Sequence, residues 1–331
     1  MADAIKVESL VKRFNGFTAV NRISFSVKRG ELFGLLGPNG AGKTTTINML
    51  STLIRPTSGK AYIDGFDISK NKNEVRNSIG MVFQEPALDG KLTGRENLYF
   101  HAMIYGLKKE ERVARINEVL RLVELEDKGN FLVEKYSGGM KRRLEIARGL
   151  IHKPRVLFLD EPTLGLDTQT RRHIWDYIKR LNRDSGVTVI LTTHYMEEAD
   201  FLCDRIAIID HGKIVALDTP KKLKDVLGGD VVRLEIDGGK SEKLAKKLKE
   251  LKWVRTIRTY NGFVAVTTSH GEKRIPELIE LGQQMKLKIK SVNLRKPSLE
   301  DVFLHFTGRV IREQEGSPID MYKAVMRARG R

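Results

Sequence analysis

Four continuous apolar runs punctuate the first two-thirds of the chain: LFGLLG (32–37), VLFLD (156–160), TVILTTH (188–194) and IAIID (206–210). Unbroken apolarity over so short a span suits strands covered on both faces of a sheet. Amphipathic segments follow the first three runs and predict helices at 43–53, 168–184 and 196–203. That alternation predicts a mostly parallel sheet with helices on its faces. Between them, residues 90–150 are expected to be helical throughout. Thr93 with Glu96 has capping-box spacing ahead of LYFHAMIYGL. In ERVARINEVLRLVEL, the residues Val113, Ile116, Val119, Leu120 and Val123 fall on one helical face.

The pattern changes after Gly228-Gly229, a natural boundary. VVRLEI (231–236) leads into a Lys-rich helix around 241–251. VRTIRT and FVAVTT then flank Tyr260-Asn261-Gly262, a hairpin turn. A helix near 275–286 and the strand LKIKSVNL (287–294) complete the order β-α-β-β-α-β of a ferredoxin-like module. Ser298 and Asp301 open a last helix by a second capping box. The expected organisation is therefore an α/β domain over 1–227, with a helical subdomain at about 88–150. A small α+β domain over 228–308 and a basic tail, 309–331, follow.

Composition narrows the class. With 331 residues and 40% hydrophobic content, the chain can bury two cores, which argues against disorder. No uncharged stretch reaches the roughly 18–20 residues that cross a bilayer. MADAIKVESL carries acidic residues and no apolar core, so no secretory signal is expected. The single cysteine, Cys203, cannot form an internal disulfide and fits a reducing cytoplasm, as a small buried apolar residue. The net charge of +17 invites nucleic acid, anionic lipid or phosphate as partner. Residues 228–331 hold 22 basic and 13 acidic residues, so much of the excess lies away from the apolar runs.

Candidate chemistry begins directly after the first run. Gly37-Pro38-Asn39-Gly40-Ala41-Gly42-Lys43-Thr44 satisfies G-x-x-x-x-G-K-[ST] between a strand and a helix. Glycines let successive N–H groups turn inward onto phosphate oxygens, and the helix N-terminus adds partial positive charge. Lys43 would reach the β- and γ-phosphates, and the Thr44 hydroxyl would ligate Mg²⁺. The VLFLD strand ends in Asp160-Glu161-Pro162-Thr163, with two carboxylates where parallel sheets bind ligands. Asp160 is placed to hold Mg²⁺ through water, and Glu161 to orient or deprotonate an attacking water. Tyr136-Ser137-Gly138-Gly139-Met140 opens KRRLEIARGLI; its Ser and glycines suit either a phosphate contact or a simple helix cap. His194, ending an apolar strand, suits a structural role as well as a catalytic one. No Cys/His/Asp spacing suggests zinc.

Taken in order, Gln84 in MVFQEP, the SGGM helix start, Asp160-Glu161, Gly165-Leu166-Asp167 and His194 resemble the ATP-binding subunit of an ABC transporter. YSGGMKRRLEIARGL and the closing SLEDVFLHFTGR most resemble the daunorubicin-resistance type of exporter ATPase. The nucleotide-binding resemblance covers about residues 5–225. It implies an ABC-type P-loop NTPase fold in which Phe14 stacks on adenine. Residues 37–42 with Lys43, Thr44 and Thr45 hold phosphates and Mg²⁺, and Gln84 senses the metal. Ser137, Gly138 and Gly139 contact the γ-phosphate of ATP bound to the opposite subunit. Glu161 is the implied general base, His194 a γ-phosphate contact and Asp167 an interface residue. Three departures from the family pattern stand out: Tyr136 and Met140 flank the SGG, Phe14 stands where Tyr is more frequent, and Leu164 replaces a Ser.

The same resemblance implies a head-to-tail homodimer, or a heterodimer with a similar subunit, closed by two ATP. A separate transmembrane permease would hold it at the cytoplasmic face of the membrane, meeting residues 90–135 and the Gln84 loop. Export of a substrate chosen by the permease is the expected function. A soluble ABC ATPase acting on nucleic acid or ribosomes is the alternative that the charge invites. Against it, the chain carries one cassette, and Lys43 and Ser137 are separated by too little sequence for a coiled-coil or zinc insertion. No specific nucleic acid is expected. The 228–308 module suits dimerisation, regulation or bracing of the ATPase, with dimer stabilisation the favoured expectation. Ile319, Tyr322 and Met326 share a helical stripe in the tail, suited to a partner or lipid headgroups, but a frayed basic tail is the stronger expectation.

Overall fold

Two long strands that the apolar runs do not announce begin the chain. β1 (Asp3–Phe14) and β2 (Phe17–Lys28) pair antiparallel. β4 (Ser58–Ile63) and β5 (Phe66–Asp67) complete a sheet ordered β2-β1-β4-β5. The register of β1 against β2 shifts repeatedly, so buried and exposed positions lose strict alternation. Each such bulge flips the face that the following residues present, which hides the strand from a period-of-two search. The structure, a computed structural model, describes residues 3–237, 241–260 and 262–308.

The four apolar runs form the centre of a second sheet. β3 (Leu32–Leu36), β7 (Val156–Asp160) and β8 (Thr188–Thr193) are buried along their whole length, and β9 (Arg205–Asp210) nearly so. With β6 (Ile79–Val82) and an antiparallel edge strand, β10 (Lys213–Asp218), the order is β10-β9-β3-β8-β7-β6. The core lies between this sheet and the antiparallel one. Phe25 of β2 stacks on Phe33 of β3 with ring centroids 5.3 Å apart, and Leu35, Ile190 and Phe158 fill the layer below.

Helices α1 (Lys43–Leu50), α6 (Thr168–Ser185) and α7 (Met196–Leu202) follow β3, β7 and β8, as the amphipathic segments predict. α2 (Lys72–Ser78) leads into β6. The stretch expected to be helical throughout is instead three helices, α3 (Gly94–Ile104), α4 (Lys109–Leu122) and α5 (Gly138–Leu150). Between α4 and α5 run two short 3-10 turns, Glu126–Lys128 and Val133–Lys135. Helix is broken there by Glu124 at φ 56° and by an antiparallel bridge of Leu132 with Thr93. The Thr93–Glu96 capping box is present in both directions.

The chain divides between Lys224 and Asp225, at the end of α8 (Pro220–Asp225), into two compact units. In the second, β11 (Asp230–Ile236), α9 (Ser241–Leu248), β12 (Val254–Tyr260), β13 (Phe263–Thr268), α10 (Gly271–Gln284) and β14 (Ile289–Arg295) follow in turn. The antiparallel order β12-β13-β11-β14 is that of the ferredoxin-like module. Val232, Leu234 and Ile236 alternate along β11 and join Leu244, Leu248, Val264, Val266 and Leu278 in a separate core. α11 (Leu299–Thr307) starts at the predicted Ser298–Asp301 capping box, and Arg295 grips Asp301 through two hydrogen bonds of 2.6 and 2.8 Å. The tail 309–331 and Asn261 of the expected hairpin turn lie outside the described residues. Among the described residues, no helix is long and apolar enough to cross a membrane.

Phe158, fully buried in the middle of β7, tests the load on this sheet. Phe158→Ala should lower the unfolding free energy by about 3–5 kcal/mol. A shift of the urea midpoint at constant slope reads it. A loss under about 1 kcal/mol would mean that the sheet centre does not carry the core.

Candidate nucleotide site

The glycine-rich loop leaves β3 at its carboxyl end. Gly37 N–H donates to Thr193 O at 3.2 Å, tying the loop to β8. Gly42 has φ 105°, and a Cβ there would lie 2.5 Å from Ala19 O, so only glycine lets β2 approach the loop. α1 starts at once, Thr46 N–H donating to Gly42 O at 2.9 Å. The N–H groups of the first turn thus face the loop's concave side. Lys43 is 4% exposed; its ammonium donates to Gly37 O at 2.9 Å and stands 3.3 Å from Glu161 Oε1.

The acidic strand end meets this loop. Asp160 Oδ1 accepts from Thr44 Oγ1 at 3.2 Å and from the Thr192 hydroxyl of β8. Glu161 turns away from the strand at φ 45°, a left-handed conformation rare for a side chain of this kind. Its N–H is held by Thr192 O at 3.2 Å and Thr192 Oγ1 at 3.0 Å. His194 Nδ1 approaches Glu161 Oε1 to 3.3 Å. Five predicted residues, Lys43, Thr44, Asp160, Glu161 and His194, are therefore one contiguous cluster.

Burial sets the electrostatics. It pulls the Lys43 ammonium below its usual value, a pull only partly offset by the Glu161 and Asp160 carboxylates. It lifts the Asp160 carboxyl, against the hydrogen bonds from Thr192 and Thr44. Burial pushes Glu161 upward too, but the His194 contact and the Lys43 charge together hold it below the usual carboxylate range. Glu161 is thus an ionised acceptor beside the phosphate loop. Thr44 and Asp160 present hard oxygen donors side by side, the set that Mg²⁺ takes.

The remaining predicted residues stand elsewhere. Phe14 ends β1, 44% exposed, with the Lys12 ammonium 4.8 Å from its ring centre. Gln84 lies exposed just beyond β6. Ser137 caps α5, accepting from Met140 N–H at 3.3 Å. Gly139 packs so closely on α6 that a Cβ would lie 2.6 Å from the Thr170 methyl. Asp167 caps α6 through Thr170 N–H at 2.9 Å. Tyr136, the departure ahead of Ser137, is buried and donates its hydroxyl to Lys128 O at 2.7 Å.

Sequence reasoning missed the buried polar groups behind the site. Arg142 of α5 donates to Phe83 O (2.6 Å), Pro162 O (2.7 Å) and Asp160 O (3.1 Å). Burial pulls its pKa down to about 10, against the Glu145, Glu198 and Asp160 carboxylates. Glu145 Oε1 accepts from Ala87 N–H at 2.7 Å. Glu198 of α7, wholly buried, accepts from Thr163 Oγ1 at 2.7 Å and Trp175 Nε1 at 2.8 Å. The available signal was charge at positions that the helical period sends inward.

Such a loop, metal-suited pair and ionised carboxylate define a P-loop nucleotide hydrolase. Known proteins agree. Residues 20–164 match the ABC transporter family model, and 219–307 that of the ATP-binding protein DrrA1-3-like C-terminal domain. The chain is 42% identical to the linearmycin resistance ATP-binding protein LnrL of Bacillus subtilis, over 93% of this chain and all of that one. It is 39% identical to the daunorubicin resistance ATP-binding protein DrrA3 of Streptomyces coeruleorubidus, over 96% of this chain and all of that one. Among solved structures it resembles CbiO1 of Clostridium perfringens, with TM-score 0.64, 30% identity, and coverage of 69% of this chain and 94% of that one. It also resembles the ATP-binding cassette MJ0796, solved as a post-hydrolysis dimer with ADP and phosphate. That match has TM-score 0.58, 31% identity, and coverage of 65% of this chain and 98% of that one. The chain belongs to the ATP-binding subunits of ABC transporters and is an ATPase.

Glu198 yields a pH-dependent expectation. Burial raises its carboxyl above the ordinary 4.5, so ionisation penalises the folded state fully above the folded pKa and not at all below the unfolded one. Glu198→Gln keeps an acceptor for Thr163 and Trp175 without that penalty. It should melt at or above wild type at pH 7, the difference shrinking as pH falls towards 4.5. Glu198→Ala, which orphans both donors, should cost about 1–3 kcal/mol or more. Melting curves across pH test this; a Gln variant less stable than wild type at pH 7 contradicts it.

Proposed function

We propose that the chain energises export by a separate membrane permease, through ATP-driven closure of a head-to-tail dimer. The observation that carries the reading is the contiguous cluster of Lys43, Thr44, Asp160, Glu161 and His194 at the carboxyl ends of β3, β7 and β8. The loop from Gly37 through Thr45 holds the phosphates through the Lys43 ammonium and the N–H groups that follow Pro38. Phe14 offers its ring face to adenine. Thr44 and Asp160, with Gln84, hold Mg²⁺. Bound there, the ion neutralises charge on the β- and γ-phosphate oxygens. Glu161, kept ionised, orients the attacking water and takes its proton, and His194 meets the γ-phosphate.

Ser137, Gly138 and Gly139 start a helix away from this cluster, which supports their service to the ATP of a second subunit. Asp167, at the start of α6 beside them, would lie in that interface. Exposed Phe100, Met103 and Ile104 on α3 and Val113 on α4 give an apolar face suited to a permease. Docking there would place the subunit on the cytoplasmic face of the membrane, where the basic excess is tolerated beside anionic lipid. Residues 1–227 serve as the ATPase domain, and 228–308 as an accessory domain that braces the dimer. Relatives named for resistance to linearmycin and daunorubicin point to antibiotic-class cargo selected by the permease.

Glu161→Gln tests the reading. The variant should bind ATP, lose turnover and accumulate as an ATP-bound dimer by size-exclusion light scattering. Hydrolysis at near wild-type rate would overturn the general-base assignment, and a monomer in saturating ATP would overturn the dimer.

A further inference from the structure

Helix α5 begins at the residues proposed to meet a partner's ATP, yet its next turns grip the chain's own catalytic elements. Arg142 sits one turn in and is 6% exposed. Its guanidinium uses all three nitrogens. Nε and Nη2 take Pro162 O and Asp160 O, the carbonyls immediately after and before Glu161. Nη1 takes Phe83 O, next to Gln84. One rigid planar fork therefore spans both flanks of the general base and the near end of the metal-sensing loop.

A second contact from the same helix closes the far end of that loop. Glu145, three residues on and wholly buried, accepts from Ala87 N–H at 2.7 Å. Its other oxygen is held by Arg148 Nη2 at 2.8 Å. Residues 84–86, all exposed, thus hang between two attachments on one helix face. Loss of the Ala87 attachment alone would free the far end of the Gln84 loop without touching the phosphate loop or the acidic strand end.

Backbone strain gives Arg142 a specific task. A Glu at φ 45° costs about 1–3 kcal/mol and persists only where its surroundings enforce it. Thr192 holds the Glu161 N–H, and Arg142 holds the carbonyls on either side. A displacement of α5 pulls on these carbonyls and so re-aims the Glu161 carboxylate and Gln84 together.

We propose that Arg142, assisted by Glu145, is a positioning residue that couples the two ATP sites of the dimer. Contact of one subunit's Ser137–Gly139 turn with its partner's ATP moves α5, which sets Glu161 and Gln84 for hydrolysis of that subunit's own ATP. The inference rests on the dimer reading above.

The test measures ATP hydrolysis against ATP concentration for the full chain, wild type and Arg142→Lys, and separately the binding of a fluorescent ATP analogue to dilute monomer. Lys keeps the charge but loses the planar fork. Hydrolysis by wild type should be cooperative, with a Hill coefficient above one. Arg142→Lys should lower kcat by about tenfold or more and bring the Hill coefficient to one, with analogue affinity within about twofold of wild type. Glu145→Ala, which frees only the Ala87 end, should lose cooperativity with a smaller fall in kcat. It keeps the question open to refutation should Arg142→Lys fold poorly. A Hill coefficient unchanged in the folded variants, a non-cooperative wild type, or analogue affinity falling in step with kcat would overturn the proposal. Light scattering of Glu161→Gln with ATP separates the two failures. With a dimer present, such results defeat the coupling alone; with no dimer, the dimer reading and the coupling fall together.

Discussion

A lysine and two carboxylates, each less than a tenth exposed, can share one pocket only if the opposite charges stand close together. The 3.3 Å approach of Lys43 to Glu161, with Asp160 beside them, meets that demand. Desolvation disfavours each charge alone, so the cluster survives only with its geometry intact. Much of the first unit reads as the means of keeping that geometry. Gly42 lets β2 press against the loop, and the Thr192 hydroxyl steadies Asp160. In the proposed function the same three groups, already desolvated, act on a phosphate without reorganising solvent.

Parallel register does the aligning. Leu36 pairs with Thr193, and Asp160 with Thr192, so β3 and β7 end level on either side of β8. The phosphate loop and the acidic pair leave the sheet at the same edge and meet across the β8 terminus. This is where open α/β sheets place ligands. Residues more than a hundred positions apart, Thr44 and Asp160, become hydrogen-bonded neighbours by that register.

Behind the cluster lies a layer of polar side chains that face inward from helices. Arg142, Glu145 and Glu198 satisfy backbone and hydroxyl groups that the strand ends and loops leave over. A half-made buried network costs more than an apolar one, and Arg142 bonds through all three nitrogens and Glu145 through both oxygens. Their bonds run between elements, from α5 to the Gln84 loop and from α7 to the loop after Glu161. The site is thereby tied to helices that carry other duties.

The sequence by itself determined the four central strands of the mostly parallel sheet, the helices that follow three of them and the residues of the phosphate loop. Such features depend on local period and on residue types with few conformational options, chiefly glycine, lysine and the capping pairs Thr93–Glu96 and Ser298–Asp301. It determined the β-α-β-β-α-β order of the second unit for the same reason. It did not reveal β1 and β2, whose bulges break the alternation, nor the 3-10 turns between α4 and α5. Only the tertiary structure decided that Arg142 would flank Glu161 and that Glu198 would lie buried against Thr163 and Trp175. Those contacts join residues 18 to 59 positions apart, set by how helices pack on a sheet, and no local period encodes them.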